Sequence, residues 1–346
     1  MYPPFRSNRS LSCFCALLVG LLVLPAVAAR IGLTSREQAF SGLTDEAGRV
    51  EAVVYDVFRD PRDSEIVLLG SSILRNGVDQ RMIEAALSQH LHRPAKVAVL
   101  AMNWQGLDLQ YFMLRDYLDH HHTSLVLWNP PLPETKFSEP HIESFRWMRY
   151  GEYSDALSGL PLRDRAAIFG EMVLGAPRQL YARVRPNRID ESLMTAPLAP
   201  STRGYYGRPF VKEDLQPPHF DGMSLARNEQ TSAISYTGAG LDDYQTHFLR
   251  KISELVRAHN ARIGVIHIPV DSEYGMSQMP ERTNWAALLQ TQELPYVGVP
   301  AGLLFPDMSK QRYTNFYFDQ HFNINGRTYF TQAILPGVLE SYDHSH

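Results

Sequence analysis

The chain has 346 residues, a length that fits one large domain or two small ones. Hydrophobic residues make up 44% and charged residues 20%, a globular composition that excludes a disordered, collagen-like or coiled-coil chain. The 33 basic and 37 acidic side chains give a net charge of −4, without the basic excess of a dedicated nucleic-acid binder.

The first element in chain order is an export segment. Arg6 and Arg9 precede an apolar run at residues 11–23, and small residues follow in an Ala-x-Ala pattern that ends at Ala28. This pattern predicts a secretory signal at residues 1–28, and its removal would leave a net charge of −6. An uncleaved membrane anchor stays open, because the apolar stretch approaches the roughly 20 residues of a membrane span. Both alternatives place the rest of the chain outside the cytoplasm, in the periplasm or beyond, with membrane contact only through this segment.

Both cysteines, Cys13 and Cys15, belong to the export segment. The rest of the chain therefore contains no residue for a disulfide, a Cys-ligated zinc site or a thiolate nucleophile. A covalent intermediate on the exported part therefore cannot form on a cysteine sulfur.

Strand and helix patterns alternate after a leader at residues 29–64, part of which (35–57) is expected to be helical. Short apolar runs predict buried strands at residues 65–70, 95–102, 124–128 and 261–270, with a weaker one at 295–299. Apolar residues at helical spacing predict helices at 79–91, 107–121, 241–259, 283–291 and 326–342. This alternation predicts an α/β domain over 65–346, with a parallel sheet between two helical layers. Residues 132–240 interrupt it, and we expect a large insertion that is partly helical near 162–184.

A serine follows the first predicted strand. Gly70-Ser71-Ser72 comes where that strand ends and a helix begins, and in parallel sheets the reactive groups lie at the carboxyl ends of the strands. Gly-Ser-Ser is also ordinary turn and N-cap chemistry, so this motif alone leaves both interpretations open.

A second candidate group precedes the last predicted helix. Asp319 and His321 lie two residues apart there, and a carboxylate can hold an imidazole in the tautomer that accepts a hydroxyl proton. A serine hydroxyl needs such a base to act as a nucleophile. The alternative is a surface loop in which Asn325 caps the helix.

Taken together, these motifs resemble the SGNH/GDSL hydrolase superfamily, over residues 66–338 with the insertion excluded. The resemblance implies a flavodoxin-like three-layer α/β/α fold, with Ser72 as nucleophile and His321 and Asp319 as its base and orienting carboxylate. It also implies an oxyanion hole made by the Ser72 and Gly106 N–H groups and the Asn129 side-chain amide. No cofactor and no metal are implied.

Three departures from the family pattern narrow the resemblance. Ser71 replaces the Asp of Gly-Asp-Ser, Asn129 stands alone for the Gly-x-Asn-Asp block, and the last block has the spacing Asp-x-His rather than Asp-x-x-His. Gly-Ser-Ser is similar to the lipoteichoic-acid D-alanylation protein family, and Asp-x-His to alginate O-acetyltransferase-related proteins. Those proteins are exported or anchored and work beside a membrane-bound O-acyltransferase, which is the partner that the resemblance implies.

Other histidines and a group of aromatic residues allow both structural and functional interpretations. His120, His121 and His122 end a predicted helix and point in different directions, which favours imidazolium groups at a helix end over a metal site. His267 lies within an apolar strand and is predicted to be hydrogen-bonded in or beside the core. An aromatic and basic group in the insertion is a candidate for stacking sugar rings and pairing acidic groups, although half of it could pack the insertion: Trp147, Tyr150, Tyr205, Tyr206, Arg146, Arg149, Arg203 and Arg208.

The resulting hypothesis is an exported acyltransferase. An acyl group, expected to be acetyl, would pass through Ser72 to a hydroxyl of an extracytoplasmic polysaccharide. With water as acceptor the same groups would make an esterase. The alternative from another class is a catalytically inactive polysaccharide-binding or assembly partner of the same fold.

Overall fold

The computed structural model describes residues 7–30, 35–41, 50–103, 106–131, 154–184, 241–277, 285–291 and 294–345. The chain divides into two compact units. One comprises Met1–Glu46 and His141–Ile189, and the other comprises Ala47–Pro140 and Asp190–His346. All five predicted strands belong to the second unit.

The second unit is built on a five-stranded parallel sheet. Its strands are β1 (Ile66–Gly70), β2 (Val97–Ala101), β3 (Leu125–Trp128), β4 (Arg262–Ile266) and β5 (Tyr296–Val297). Their order across the sheet is β2-β1-β3-β4-β5, and every neighbouring pair is parallel. This is one of the two common strand orders of doubly wound α/β sheets. The five predicted strands are confirmed, each with somewhat shorter bounds than the apolar run that predicted it.

The strands are apolar on both sides because helices cover both faces of the sheet. Every residue of β1, β2 and β3 is buried. Leu68 lies opposite Val99 in β2 and Leu127 in β3, and all three pack in one hydrophobic cluster with the side chain of Ile266. Because strand side chains alternate between faces, their neighbours Val67, Leu69 and Val126 fill the other layer. The α/β class predicted from the alternation is therefore confirmed.

Helices of the described residues, in chain order, are α1 (Asn8–Arg30), α2 (Arg36–Ser41), α3 (Val50–Val54), α4 (Ser72–Gly77), α5 (Gln80–Leu91), α6 (Leu107–Leu118), α7 (Ser154–Leu157), α8 (Leu162–Val184), α9 (Asp243–Ala258), α10 (Trp285–Leu289), α11 (Ala301–Leu304), α12 (Lys310–Tyr313) and α13 (Ile324–Asp343). A π-helical turn, Tyr55–Arg59, continues α3. Helices α5 and α13 contact each other and the sheet on one face, and α3, α6 and α9 cover the other.

A short antiparallel hairpin precedes the last helix. Strand β6 (Tyr317–Phe318) pairs with β7 (His321–Phe322) through a two-residue turn, and α13 follows. Asn323 caps α13, because its side chain accepts hydrogen bonds from the N–H groups of Asn325 and Gly326. The prediction that Asn325 is the cap is wrong by two residues, and α13 begins two residues earlier than predicted.

The first unit contains the N-terminal helix and part of the predicted insertion. Helices α1 and α8 contact one another, and α8 has the bounds predicted from the sequence. Many apolar side chains of α1 are exposed, Leu17 at 64% among them. Within the described residues, which leave out several α1 side chains, no helix is long and apolar enough to cross a membrane.

Candidate active site

Ser72 lies at the carboxyl edge of the sheet, between β1 and α4. The strand ends at Gly70, Ser71 caps the helix by accepting a hydrogen bond from the Ile73 N–H, and Ser72 is the first helical residue. The N–H of a first helical residue has no acceptor within its own helix. Asn76 donates its side-chain amide to the Ser72 carbonyl at 2.8 Å, which fixes the backbone of this turn.

Gly70 is required by close packing rather than by an unusual backbone angle. A Cβ atom at this position would lie 2.9 Å from the Cβ of Asn129 and 2.9 Å from a methyl carbon of Leu74. Any larger residue would therefore displace the Asn129 side chain or the helix that carries Ser72. The glycine in Gly-Ser-Ser allows the two strand ends to approach.

His321 reaches Ser72 from a distant part of the chain. The Nε2 atom of His321 lies 2.8 Å from the Ser72 Oγ, although 249 residues separate the two in sequence. Helix α4 packs against β7 and α13, which brings the hairpin to the first strand end. A serine hydroxyl within hydrogen-bond distance of an imidazole nitrogen has the geometry of a nucleophile and its general base.

The hydrogen bond predicted between Asp319 and His321 is not formed. When the Ser72 hydroxyl donates to Nε2, the neutral imidazole carries its proton on Nδ1, and that buried atom has no hydrogen-bond partner among the described residues. Asp319 is exposed and occupies the first turn position of the hairpin, with a left-handed φ of 52°. The turn places it on the solvent side of the hairpin, so the Asp-x-His spacing does not bring the carboxylate to Nδ1.

The imidazole is oriented by packing. The Phe318 ring stacks on the His321 ring, with their centroids 5.3 Å apart and an angle of 18° between the planes. Burial lowers the pKa of His321, the charge of Asp319 raises it, and the charge of Arg75 lowers it. The net effect is a pKa below the usual value, which keeps the imidazole neutral and able to accept a proton.

The hairpin that carries His321 is anchored to the loop after β4. The hydroxyl of Tyr317, in β6, lies 2.7 Å from the Tyr313 hydroxyl, and Tyr313 donates to the Val270 carbonyl at 2.8 Å. Asn323 also donates its side-chain amide to the Asn315 carbonyl at 2.7 Å. These contacts hold both ends of the hairpin, and with it the position of the imidazole. Sequence reasoning did not single out either tyrosine.

The two predicted oxyanion-hole residues lie at the ends of β2 and β3. Asn129 is buried directly after β3, and its side-chain amide donates to the Ile266 carbonyl at 3.0 Å. An amide NH2 group has two donors, so one hydrogen of Asn129 remains beyond that bond. Gly106 is buried and forms the N-cap of α6, while residues 104 and 105 before it lie outside the described residues.

Arg75 connects the serine helix to the loop after β2. It lies one helical turn after Ser72, and its guanidinium donates to the side-chain oxygen of Asn103, three residues before Gly106. The sequence analysis missed this contact. An arginine three residues after the candidate serine, on the same face of a helix, was the available signal.

The remaining histidines take structural positions. His267 follows β4, and its Nε2 lies 2.9 Å from a carboxylate oxygen of buried Glu273, so the predicted hydrogen-bonded histidine is confirmed. His121 corrects the expectation of imidazolium at a helix end. Helix α6 ends at Leu118, His121 is buried against the Tyr117 ring, and burial lowers its pKa.

The sugar-stacking candidates of the insertion lie outside the described residues: Trp147, Tyr150, Tyr205, Tyr206, Arg146, Arg149, Arg203 and Arg208. In the described parts of the chain, no three His, Cys, Asp or Glu side chains are grouped closely enough to hold a metal ion.

The candidate site consists of Ser72 and His321 in contact, with Asn129, Gly106 and Arg75 on the surrounding strand ends and helix. No known protein-family model matches the sequence, and no curated protein shows significant similarity to it.

Proposed function

We propose that this chain is an exported serine-dependent acyltransferase of the SGNH type that transfers an acyl group, expected to be acetyl, to a polysaccharide hydroxyl. The observation that carries the proposal is the 2.8 Å contact between the Ser72 Oγ and the His321 Nε2. The 2-1-3-4-5 strand order, which is that of flavodoxin-like sheets, and the position of Ser72 after the first strand support the SGNH assignment.

In the first half of the reaction, the Ser72 Oγ attacks the carbonyl carbon of an acyl donor while His321 takes the hydroxyl proton. The negative charge that develops on the carbonyl oxygen would be stabilised by N–H donors of Ser72 and Gly106 and by the Asn129 amide. Loss of one such donor costs about 2.7–4 kcal/mol of transition-state stabilisation. The intermediate collapses to an acyl-Ser72 ester, and the leaving group departs with the proton from the His321 imidazolium.

In the second half, an acceptor hydroxyl attacks the ester carbonyl and gives its proton to His321. The carbon–oxygen bond to Ser72 breaks, the serine regains a proton from the imidazolium, and the acylated acceptor leaves. With water in place of the acceptor the product is the free acid, and the chain is an esterase. A polysaccharide acceptor is preferred because the N-terminal segment predicts export, and a membrane-bound O-acyltransferase is the proposed source of acyl groups.

One observation favours a second candidate. The unpaired Nδ1 of His321, with Asp319 exposed, leaves the imidazole without the carboxylate support of a full triad. A catalytically inactive polysaccharide-binding or assembly partner would tolerate this geometry, because it needs the fold and not the proton transfer.

Labelling with a serine-directed fluorophosphonate separates the two candidates. The enzyme predicts labelling of the wild-type chain at Ser72 and its loss in Ser72→Ala and in His321→Ala. Matched controls are Ser345→Ala and His90→Ala. Ser345 donates to the Tyr342 carbonyl and His90 bonds Asp343, and neither residue has a role in the proposed reaction. A folded wild-type chain that does not label, and does not hydrolyse an activated acetyl ester, would remove the nucleophile assignment.

A further inference from the structure

One proposed oxyanion donor, Gly106, follows β2, whereas Ser72 follows the neighbouring strand β1. Gly106 is at the end of the loop after β2, where it caps α6. A polar side-chain contact joins the serine helix to the start of this loop: Arg75 donates a hydrogen bond to the Asn103 side-chain oxygen. Ser72 and Arg75 occupy positions i and i+3 of α4, and residues at this spacing share one face of a helix.

We propose that Arg75 is a positioning residue: its hydrogen bond to Asn103 fixes the serine helix against the end of β2, three residues before Gly106, so that the Ser72 and Gly106 N–H groups serve one oxyanion. The inference rests on the proposed function. Helix α4 packs against β7 and α13, and the planar guanidinium of Arg75 adds a directional hydrogen bond from this helix to the end of β2. Positioning of this kind has large kinetic effects, since a displacement of about 1 Å can cost 100-fold in rate.

Arg75 also acts on the base of the site through its charge, and the experiment separates that effect from its hydrogen bond to Asn103. Two charged groups influence the pKa of His321: Arg75 lowers it and Asp319 raises it, both in addition to the larger effect of burial. Removal of the Arg75 charge therefore raises the pKa of His321 and moves the acid limb of its pH–rate profile to higher pH. The Asn103→Ala substitution leaves that charge in place and does not move the limb.

The experiment uses the full chain and three variants, Asn103→Ala, Arg75→Lys and Arg75→Gln, with Asn103→Asp as the conservative variant that retains the acceptor oxygen. The rate of fluorophosphonate labelling is measured as a function of pH. Amide hydrogen exchange of the segment that begins at Gly106 is measured on the same samples.

We expect Asn103→Ala to label about 10- to 100-fold more slowly with an unchanged acid limb, and Asn103→Asp to recover most of the rate. Arg75→Lys slows labelling without moving the limb, whereas Arg75→Gln slows it and moves the limb to higher pH. Amide exchange near Gly106 becomes faster in Asn103→Ala and Arg75→Gln.

Wild-type labelling rates and unchanged exchange in Asn103→Ala would overturn the proposal while leaving the proposed function in place. If the wild-type chain does not label at all, the proposed function fails and the exchange data decide the positioning role. Faster exchange at Gly106 then supports the contact, and unchanged exchange refutes it. A merely structural role for Arg75 predicts lower stability of the variants, while the folded Asn103→Ala chain labels at the wild-type rate.

Discussion

Replacement of Asp319 by asparagine tests whether the site works as a Ser–His pair or as a full triad. Asparagine is isosteric with aspartate and is also tolerated at a left-handed φ, so the turn at 52° keeps its conformation. The substitution removes the charge and leaves the backbone of the hairpin unchanged.

The geometry predicts a small effect. Asp319 is exposed and forms no hydrogen bond with the Nδ1 of His321, so it influences the imidazole only through a solvent-screened charge. Exposed pairs of this kind are worth about 0.2–1 kcal/mol, which corresponds to a change of about 1.4- to 5-fold in rate. In a Ser-His-Asp triad, the same replacement lowers the rate by about 10⁴-fold because the tautomer and orientation of the histidine are lost.

The assay is hydrolysis of an activated acetyl ester across the acid limb of the pH–rate profile. Since the charge of Asp319 raises the pKa of His321, its removal lowers that pKa and moves the limb to lower pH. His321→Ala is the control for complete loss of the base. A fall of 100-fold or more in Asp319→Asn (about 2.7 kcal/mol) would refute the reasoning, because it would show that the carboxylate bonds the imidazole in the working protein.

Two further substitutions test the surroundings of the site and the stability of the fold. Gly70→Ala is expected to lower the free energy of unfolding by about 1–3 kcal/mol and to slow labelling, because the added carbon meets Asn129 and Leu74 at 2.9 Å. Denaturant unfolding and the labelling rate check this, and wild-type values in both assays would contradict it. Asp56 lies beside Lys96, and burial raises its pKa to about 6, so the folded chain holds a proton that the unfolded chain has lost between about pH 4 and 6. The free energy of unfolding therefore falls by up to about 3 kcal/mol as pH rises through that window. Asp56→Asn is expected to remove this decline, as measured by urea unfolding at several pH values. An unchanged dependence of the unfolding free energy on pH would contradict the raised pKa of Asp56.

The sheet was predictable from the sequence because its strands are buried on both faces. Runs such as residues 66–70 are apolar at every position, which distinguishes them from amphipathic helices and from half-exposed strands. The observed strand bounds lie up to four residues inside the predicted ones, since residues beyond the last ladder contact stay apolar where they enter the core. After β4, for example, the His267 N–H still donates to the Val297 carbonyl of β5, while its side chain bonds Glu273.

The contact between Ser72 and His321 is the one that the resemblance implied, whereas the details around the two residues were not predicted. Spacing alone does not show that a two-residue turn carries Asp319 to the solvent side, because the turn conformation depends on the pairing of β6 with β7. The Arg75–Asn103 contact joins segments 28 residues apart: the spacing of Ser72 and Arg75 puts them on one helix face, but it does not identify Asn103 as the partner. Burial of His121 likewise depends on packing against the π-helical turn, where the Val57 carbonyl contacts its ring.

The central claim is that Ser72 carries an acyl group between donor and acceptor, and mass spectrometry of a rapidly quenched reaction tests it most directly. The full chain is mixed with an activated acetyl ester, quenched in acid and digested. The account predicts one acetyl group on the peptide that contains Ser72, its absence in Ser72→Ala, and its loss from the wild-type peptide when a polysaccharide acceptor is added. A wild-type peptide that stays unmodified under conditions in which the ester is consumed would contradict the account.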